Sequence, residues 1–144
     1  MKKTLILLLL IYSLCACSIQ PKEIEYGTDS CHYCEMTIVD KLHAAEIVTN
    51  KGKVFKFDAT ECMINHFHET SDTPVALFLS TNYTQPGELM DATKATFLIS
   101  EAVPSPMGEN LSAFKDEKDV LKLKKDKGGI VLSWEELLNR FERK

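Results

Sequence analysis

Two cysteines and a methionine fall within the six residues Cys31-His32-Tyr33-Cys34-Glu35-Met36, and no other stretch constrains this chain as strongly. Thiolates and thioethers are soft ligands of the kind that select Cu(I) over harder divalent ions. An extended run from Cys34 to Val39 alternates its side chains, which predicts Cys34, Met36 and Ile38 on one face. That arrangement is a two-sulfur corner with an apolar neighbour to limit water. The remainder of the chain reads as scaffold and further ligands for it.

At 144 residues the chain is one domain's worth of sequence. It starts with the basic Met1-Lys2-Lys3 and continues with a nearly unbroken apolar run from Leu5 to Leu14. That run is too short to span a membrane as a mature helix and has the form of a secretory signal. It closes on Leu14-Cys15-Ala16-Cys17, which resembles a bacterial lipoprotein signal. On this reading residues 1–16 are removed, Cys17 is acylated, and the protein is exported and anchored to a membrane on its periplasmic or extracytoplasmic side. An ordinary cleaved signal with a spare cysteine is the alternative. The polar stretch 17–29, with Pro21 and Gly27, reads as a lipidated flexible tether, and 30–144 as the folded domain.

Removing Lys2 and Lys3 from the 17 basic residues leaves 15 against 21 acidic ones, a formal charge of −6. That balance argues against nucleic acid as a partner. Once Cys15 has left with the signal and Cys17 has been acylated, Cys31, Cys34 and Cys62 remain. An odd number in an oxidising compartment leaves at least one thiol free or metal-bound.

The pattern downstream predicts an α+β fold. Ala44–Thr49 and Val54–Phe57 flank the turn Asn50-Lys51-Gly52-Lys53 as a hairpin. Asp58 and Glu61 have capping-box spacing ahead of a helix from about Ala59 to Glu69, and Val75–Leu79 follows as a strand. Ser80–Leu89 reads as loop. The order then repeats: Lys94–Ser100 and Leu111–Phe114 as strands, a helix from Asp116 to about Lys125, a stop at Gly128-Gly129, and Ile130–Leu132 as closing strand. Phe55-Lys56-Phe57-Asp58 and Ala113-Phe114-Lys115-Asp116 each precede a helix, which suggests two related ββαβ units. Ser133 and Glu136 cap an additional C-terminal helix, whose Trp134, Leu137, Leu138 and Phe141 form an apolar stripe read as core.

Cys34 and Met36 are the primary metal candidates, against the alternative of a half-buried strand on which they only pack. Cys31 reads as a ligand, a resolving thiol, or half of a disulfide with Cys34. Met107 sits in Ser105-Pro106-Met107-Gly108, a loop that places a large apolar side chain where it either packs inward or binds something. Cys62 and His66 are i, i+4 on one helix face and able to share an ion, although Cys62, Met63 and Phe67 also read as a core stripe.

Taken in order, Cys31 to Ile38, Ala44 to Val48, Phe57-Asp58 with Glu61-Cys62-Met63, and Ser105 to Gly108 with Ala113-Phe114 resemble the NosL family. These are lipoproteins described as copper chaperones accessory to nitrous oxide reductase, an enzyme of denitrification. The resemblance implies Cu(I) held through the Cys-x-Met pair, hence Cys34 and Met36, in a split ββαβ fold also related to a domain of organomercurial lyase. It implies as partner a copper-enzyme acceptor such as nitrous oxide reductase or its maturation machinery. Members commonly carry Gly between that Cys and Met, where this chain has Glu35.

Two other functions compete with a membrane-tethered Cu(I) carrier. One is a thiol–disulfide protein using Cys31 and Cys34, which here lack the strand-to-helix setting of thioredoxin-like motifs. The other is a structural zinc module of Cys31, Cys34, Cys62 and His66, which leaves Met36 and Met107 unexplained. With no paired catalytic carboxylates, nucleophile motif or phosphate loop, the sequence reads as a binding protein rather than an enzyme.

Overall fold

The computed structural model describes residues 18–70 and 72–142. The expected signal peptide and Cys17 lie outside the described residues. Among the described residues, seven strands and three α-helices follow in the order β1 (Ala45–Thr49), β2 (Val54–Phe57), α1 (Thr60–Glu69), β3 (Val75–Thr81), β4 (Leu89–Asp91), β5 (Thr96–Ile99), β6 (Leu111–Phe114), α2 (Glu117–Lys127), β7 (Ile130–Leu132) and α3 (Trp134–Glu142), with a short 3-10 turn at Ala92–Lys94 between β4 and β5.

The strands form two antiparallel sheets, ordered β2-β1-β3-β4 and β6-β5-β7. In each, the first strand of the unit is central, its hairpin partner lies on one side, and the strand after the helix adds on the other. The two ββαβ units expected from the sequence therefore share one topology. Asn82 joins them: it bridges to Ala113, and Tyr83 N–H donates to Ala113 O at 2.8 Å. His43 makes a second link, with Nδ1 2.8 Å from Asp40 and Nε2 3.3 Å from Ser112 on β6.

A main core, built around Ile38, Ile47, Phe57, Met63, Ile64, Phe97 and Leu137, lies between the sheets and helices. α1 buries its first half, Thr60 to Ile64, and exposes more of its second, so its N-terminal turn is embedded in the protein. α3 starts with the predicted capping box: Glu136 N–H donates to Ser133 Oγ at 3.3 Å, and Ser133 N–H donates to Glu136 at 2.8 Å. Its Leu137 and Phe141 are buried, as the apolar stripe requires.

Several local expectations are overturned. The span from Cys34 to Val39 is not a strand. His32–Cys34 form a turn, Glu35 has a left-handed φ of 64°, and of the residues that follow only Thr37 pairs, in a single bridge to Ser30. Asp58 does not cap α1. The cap position is Ala59, whose methyl group cannot hydrogen-bond, and Asp58 and Glu61 both have partners elsewhere in the fold. β4 lies within and just beyond the stretch read as loop; these three residues extend only because they pair with the edge of β3. Ordered structure also starts earlier than the tether reading allows. Ile24 is buried and Lys22 N–H donates to the buried Glu46 at 2.9 Å.

Candidate metal centre

Three elements meet at the N-terminus of α1: the Cys31–Cys34 turn, the residue following β2, and the first turn of the helix itself. They bring together the sulfurs of Cys31, Cys34 and Cys62 and a carboxylate oxygen of Asp58, all within 4.8 Å of one another. All three cysteines are free thiols. Cys31, Cys62 and Asp58 are buried, whereas Cys34 is half-buried and forms the accessible edge. A tetrahedral ion with metal–sulfur bonds of about 2.3 Å sets its sulfurs about 3.8 Å apart. Small side-chain movements would close this group on an ion.

The turn is held by its backbone. Cys31 O accepts from Glu35 N–H at 3.0 Å and Cys31 N–H donates to Met36 O at 2.8 Å, which folds the chain so that Cys31 and Cys34 face the same way. His32 N–H donates to Lys56 O at 2.8 Å, docking the turn against β2. β2 is paired with β1 and ends in the buried Phe57, and the next residue, Asp58, is thereby delivered to the thiols.

The Cys34 thiol donates to Asp58 Oδ1 at 3.5 Å, while Asp58 Oδ2 is buried without a hydrogen-bond partner. An orphaned buried carboxylate oxygen beside three thiols is a group short of a cation or donor. The Cys62 thiol hydrogen-bonds to the Cys31 sulfur and lowers its pKa to about 6, against the opposing effect of burial. The same contact, with burial and Asp58, pushes Cys62 up. Burial is the main cause that raises Cys34 to about 11, with Cys31 and Asp58 adding to it. Of the three, Cys31 is the one whose charged form its neighbours favour. The group's place at a helix N-terminus, where the backbone dipole favours anions, suits that charge.

The sequence candidates divide. Cys31 and Cys34 are in the cluster. Met36 is 48% exposed and Met107 39% exposed, so both thioethers stand at the surface rather than in the core. The Met107 loop is nonetheless tied to the helix that carries Cys62, since buried Ser105 hydrogen-bonds to Glu61. Tyr33 of the cysteine turn and Glu109 of the same loop line one open cleft of about 520 Å³. His66 is not among the clustered donors. Its ring packs 5.0 Å from those of His32 and Phe55, and burial together with the neighbouring His32 lowers its pKa.

Asp58 is the member that sequence reasoning missed. Its capping spacing offered a sufficient local role, and the signal that could have found it is its position four residues before Cys62, directly after the buried Phe57 that ends β2.

Comparison with known proteins places this geometry in context. Residues 21–141 match the family model described as NosL. The copper-binding lipoprotein NosL of Stutzerimonas stutzeri is 28% identical over 150 residues, covering 93% of this chain and 78% of that relative. The crystal structure of the copper chaperone NosL from Shewanella denitrificans superposes with a TM-score of 0.72 at 22% identity, over 83% of this chain and 96% of the other.

Proposed function

This chain belongs to the NosL family, and from that premise we propose that it is an exported, lipid-anchored Cu(I) carrier that hands copper to nitrous oxide reductase, its maturation machinery or another exported copper enzyme. It is a binding protein and not an enzyme. Copper is cargo here. Cys34 supplies the anchor, giving up its thiol proton as the ion binds, and Met36 and Met107 supply neutral thioethers, with Cys31 standing behind as a second sulfur. The observation that carries this reading is the set of three free thiols at a helix N-terminus with Cys34 at its accessible edge. Thiolate is the metal-binding form of cysteine, and sulfur donors favour Cu(I).

Exposed thioethers suit a carrier. A neutral ligand at the surface can be displaced by an acceptor's ligand before the thiolate lets go, so the ion moves without being released to water. Attachment through Cys17 would hold the carrier at the membrane. No helix among the described residues is long and apolar enough to cross one.

A zinc reading is kept because four donors lie close together, with Asp58 rather than His66 as the fourth. Anaerobic titration of the reduced protein with Cu(I), in competition with Zn(II), separates the two. A Cu(I) carrier binds one cuprous ion that Zn(II) does not displace. Tight Zn(II) binding that excludes Cu(I) would establish the zinc module instead.

A further inference from the structure

A single anionic anchor needs one cysteine, yet two more thiols are buried in contact with it. Cys31 and Cys62 come from different elements, both are shielded from water, and their sulfurs lie within 4.8 Å of each other. Beside them Asp58 presents a carboxylate oxygen with no partner. A thioether-and-thiolate carrier of Cu(I) has no use for a buried carboxylate, whereas oxygen donors suit the harder Cu(II).

We infer that Cys31 and Cys62 form a reducing pair that converts two cupric ions to cuprous ions, leaving Cys34 free to hold one product. The inference rests on copper being the cargo and Cys34 the anchor. Each Cu(II) takes one electron. The two thiols together give up two electrons and two protons, and their sulfurs join in one disulfide. Cu(II) is the only oxidant required, and the step is stoichiometric: a thiol reductant must reset the pair before it can act again.

The surroundings fit each part of that balance. Cu(II) reaches the group past half-buried Cys34 and meets Asp58, whose Oδ2 is available. After reduction the cuprous ion favours sulfur over oxygen and shifts to Cys34 and the exposed thioether of Met36. The two thiol protons leave to solvent past half-buried Cys34, the accessible edge of the group, whose own thiol stays hydrogen-bonded to Asp58. Pairing Cys31 with Cys34 would also supply two electrons, but it would consume the anchor that retains the product.

The test uses full-length reduced protein under anaerobic conditions, given two equivalents of Cu(II). The readouts are loss of the cupric paramagnetic signal, copper retained after desalting, and a peptide map of disulfide linkage. The expected result is disappearance of both cupric equivalents, a Cys31–Cys62 link, and one Cu(I) retained. Cys62→Ala keeps Cys34, Met36 and Met107 and should still take up directly supplied Cu(I). After Cu(II) treatment, however, it should link Cys31 to Cys34 and retain none. The inference is overturned if the parent protein links Cys31 to Cys34, or if the cupric signal persists while the thiols remain free. The linkage map of the parent protein decides the matter even where the variant folds poorly. Failure of the parent protein to bind Cu(I) supplied directly is a different result, and it overturns the carrier reading together with the inference.

Discussion

The Ser105 hydroxyl hydrogen-bonds to the Glu61 carboxylate, joining the loop that carries Met107 to the first turn of the helix that carries Cys62. Both residues are buried, and the second Glu61 oxygen has no partner, so the contact is the main support of a carboxyl group inside the protein. Ser105→Ala removes it and leaves a buried acceptor unsatisfied, which costs about 1–3 kcal/mol. Chemical denaturation should show that loss, and Cu(I) affinity should fall with it as the Met107 loop loosens. Unchanged stability would mean that the hydroxyl does not hold the loop.

Burial raises Glu61 from its ordinary value of 4.5 to about 7, with Ser105 opposing the shift. The folded state therefore favours the protonated acid. Its contribution is complete below about pH 4.5, declines between 4.5 and 7, and is lost above, a span of up to about 3 kcal/mol. Glu61→Gln cannot titrate. The stability of the parent protein relative to this variant should therefore fall from pH 4.5 to 7 and be flat beyond. A difference that does not vary with pH would contradict the assignment. Comparison with the variant isolates Glu61 from residues such as Asp29 and Asp91, whose lowered pKa values act in the opposite sense on acidification.

Glu35 occupies a left-handed backbone position, φ 64°, between Cys34 and Met36. A side chain there costs about 1–2 kcal/mol, which Gly avoids at some expense in unfolded-chain entropy. Glu35→Gly should raise stability by about 0.5–1 kcal/mol, seen as a higher Tm, with Cu(I) affinity unchanged or greater because the turn is relaxed. A fall in Tm would show that Glu35 makes a compensating contact.

The sulfurs should divide their roles by charge and exposure. Cys34→Ser should lose most of the Cu(I) affinity. Met36→Ala and Met107→Ala should each lose less, about tenfold or 1.4 kcal/mol, and both should fold normally because these side chains stand at the surface. Cys62→Ala should lower stability by about 1–3 kcal/mol, as expected for a buried deletion of that size, with the affinity for supplied Cu(I) nearly intact. Competition titrations across the four variants check the order. If Met36→Ala has no effect and Cys62→Ala abolishes binding, the ion sits in the inner cluster.

Cleavage before Cys17 should leave an acylated cysteine at the mature N-terminus. Mass spectrometry of that terminus reads it directly, and Cys17→Ala should release the protein from membranes. An unmodified terminus beginning at Cys17 or Ser18 would remove the anchor from the proposal.

Local pattern determined much of this protein. Alternation and turn residues marked the hairpin of Ala45–Thr49 with Val54–Phe57, the capping box at Ser133 and Glu136 marked the last helix, and the repeated order of elements marked two ββαβ units. Each of those signals acts between residues close in sequence, so the sequence displays it directly. The Cys31–Cys34 spacing displayed two members of the four-donor cluster in the same way. What the tertiary structure decided was everything that depends on which distant group competes for a side chain. Asp58 has the spacing of a cap, but folding of the Cys31–Cys34 turn against β2 brings a thiol to it first. Glu61 completes a capping box on paper, but Ser105, 44 residues away, takes its carboxylate. Cys62 reads as core and is core, yet the same burial puts its sulfur against Cys31. β4 has no period of its own and extends because the β3 edge offers it hydrogen bonds. A side chain's local preference is worth about 1 kcal/mol, and a buried long-range partner outweighs it because leaving that partner unsatisfied costs more.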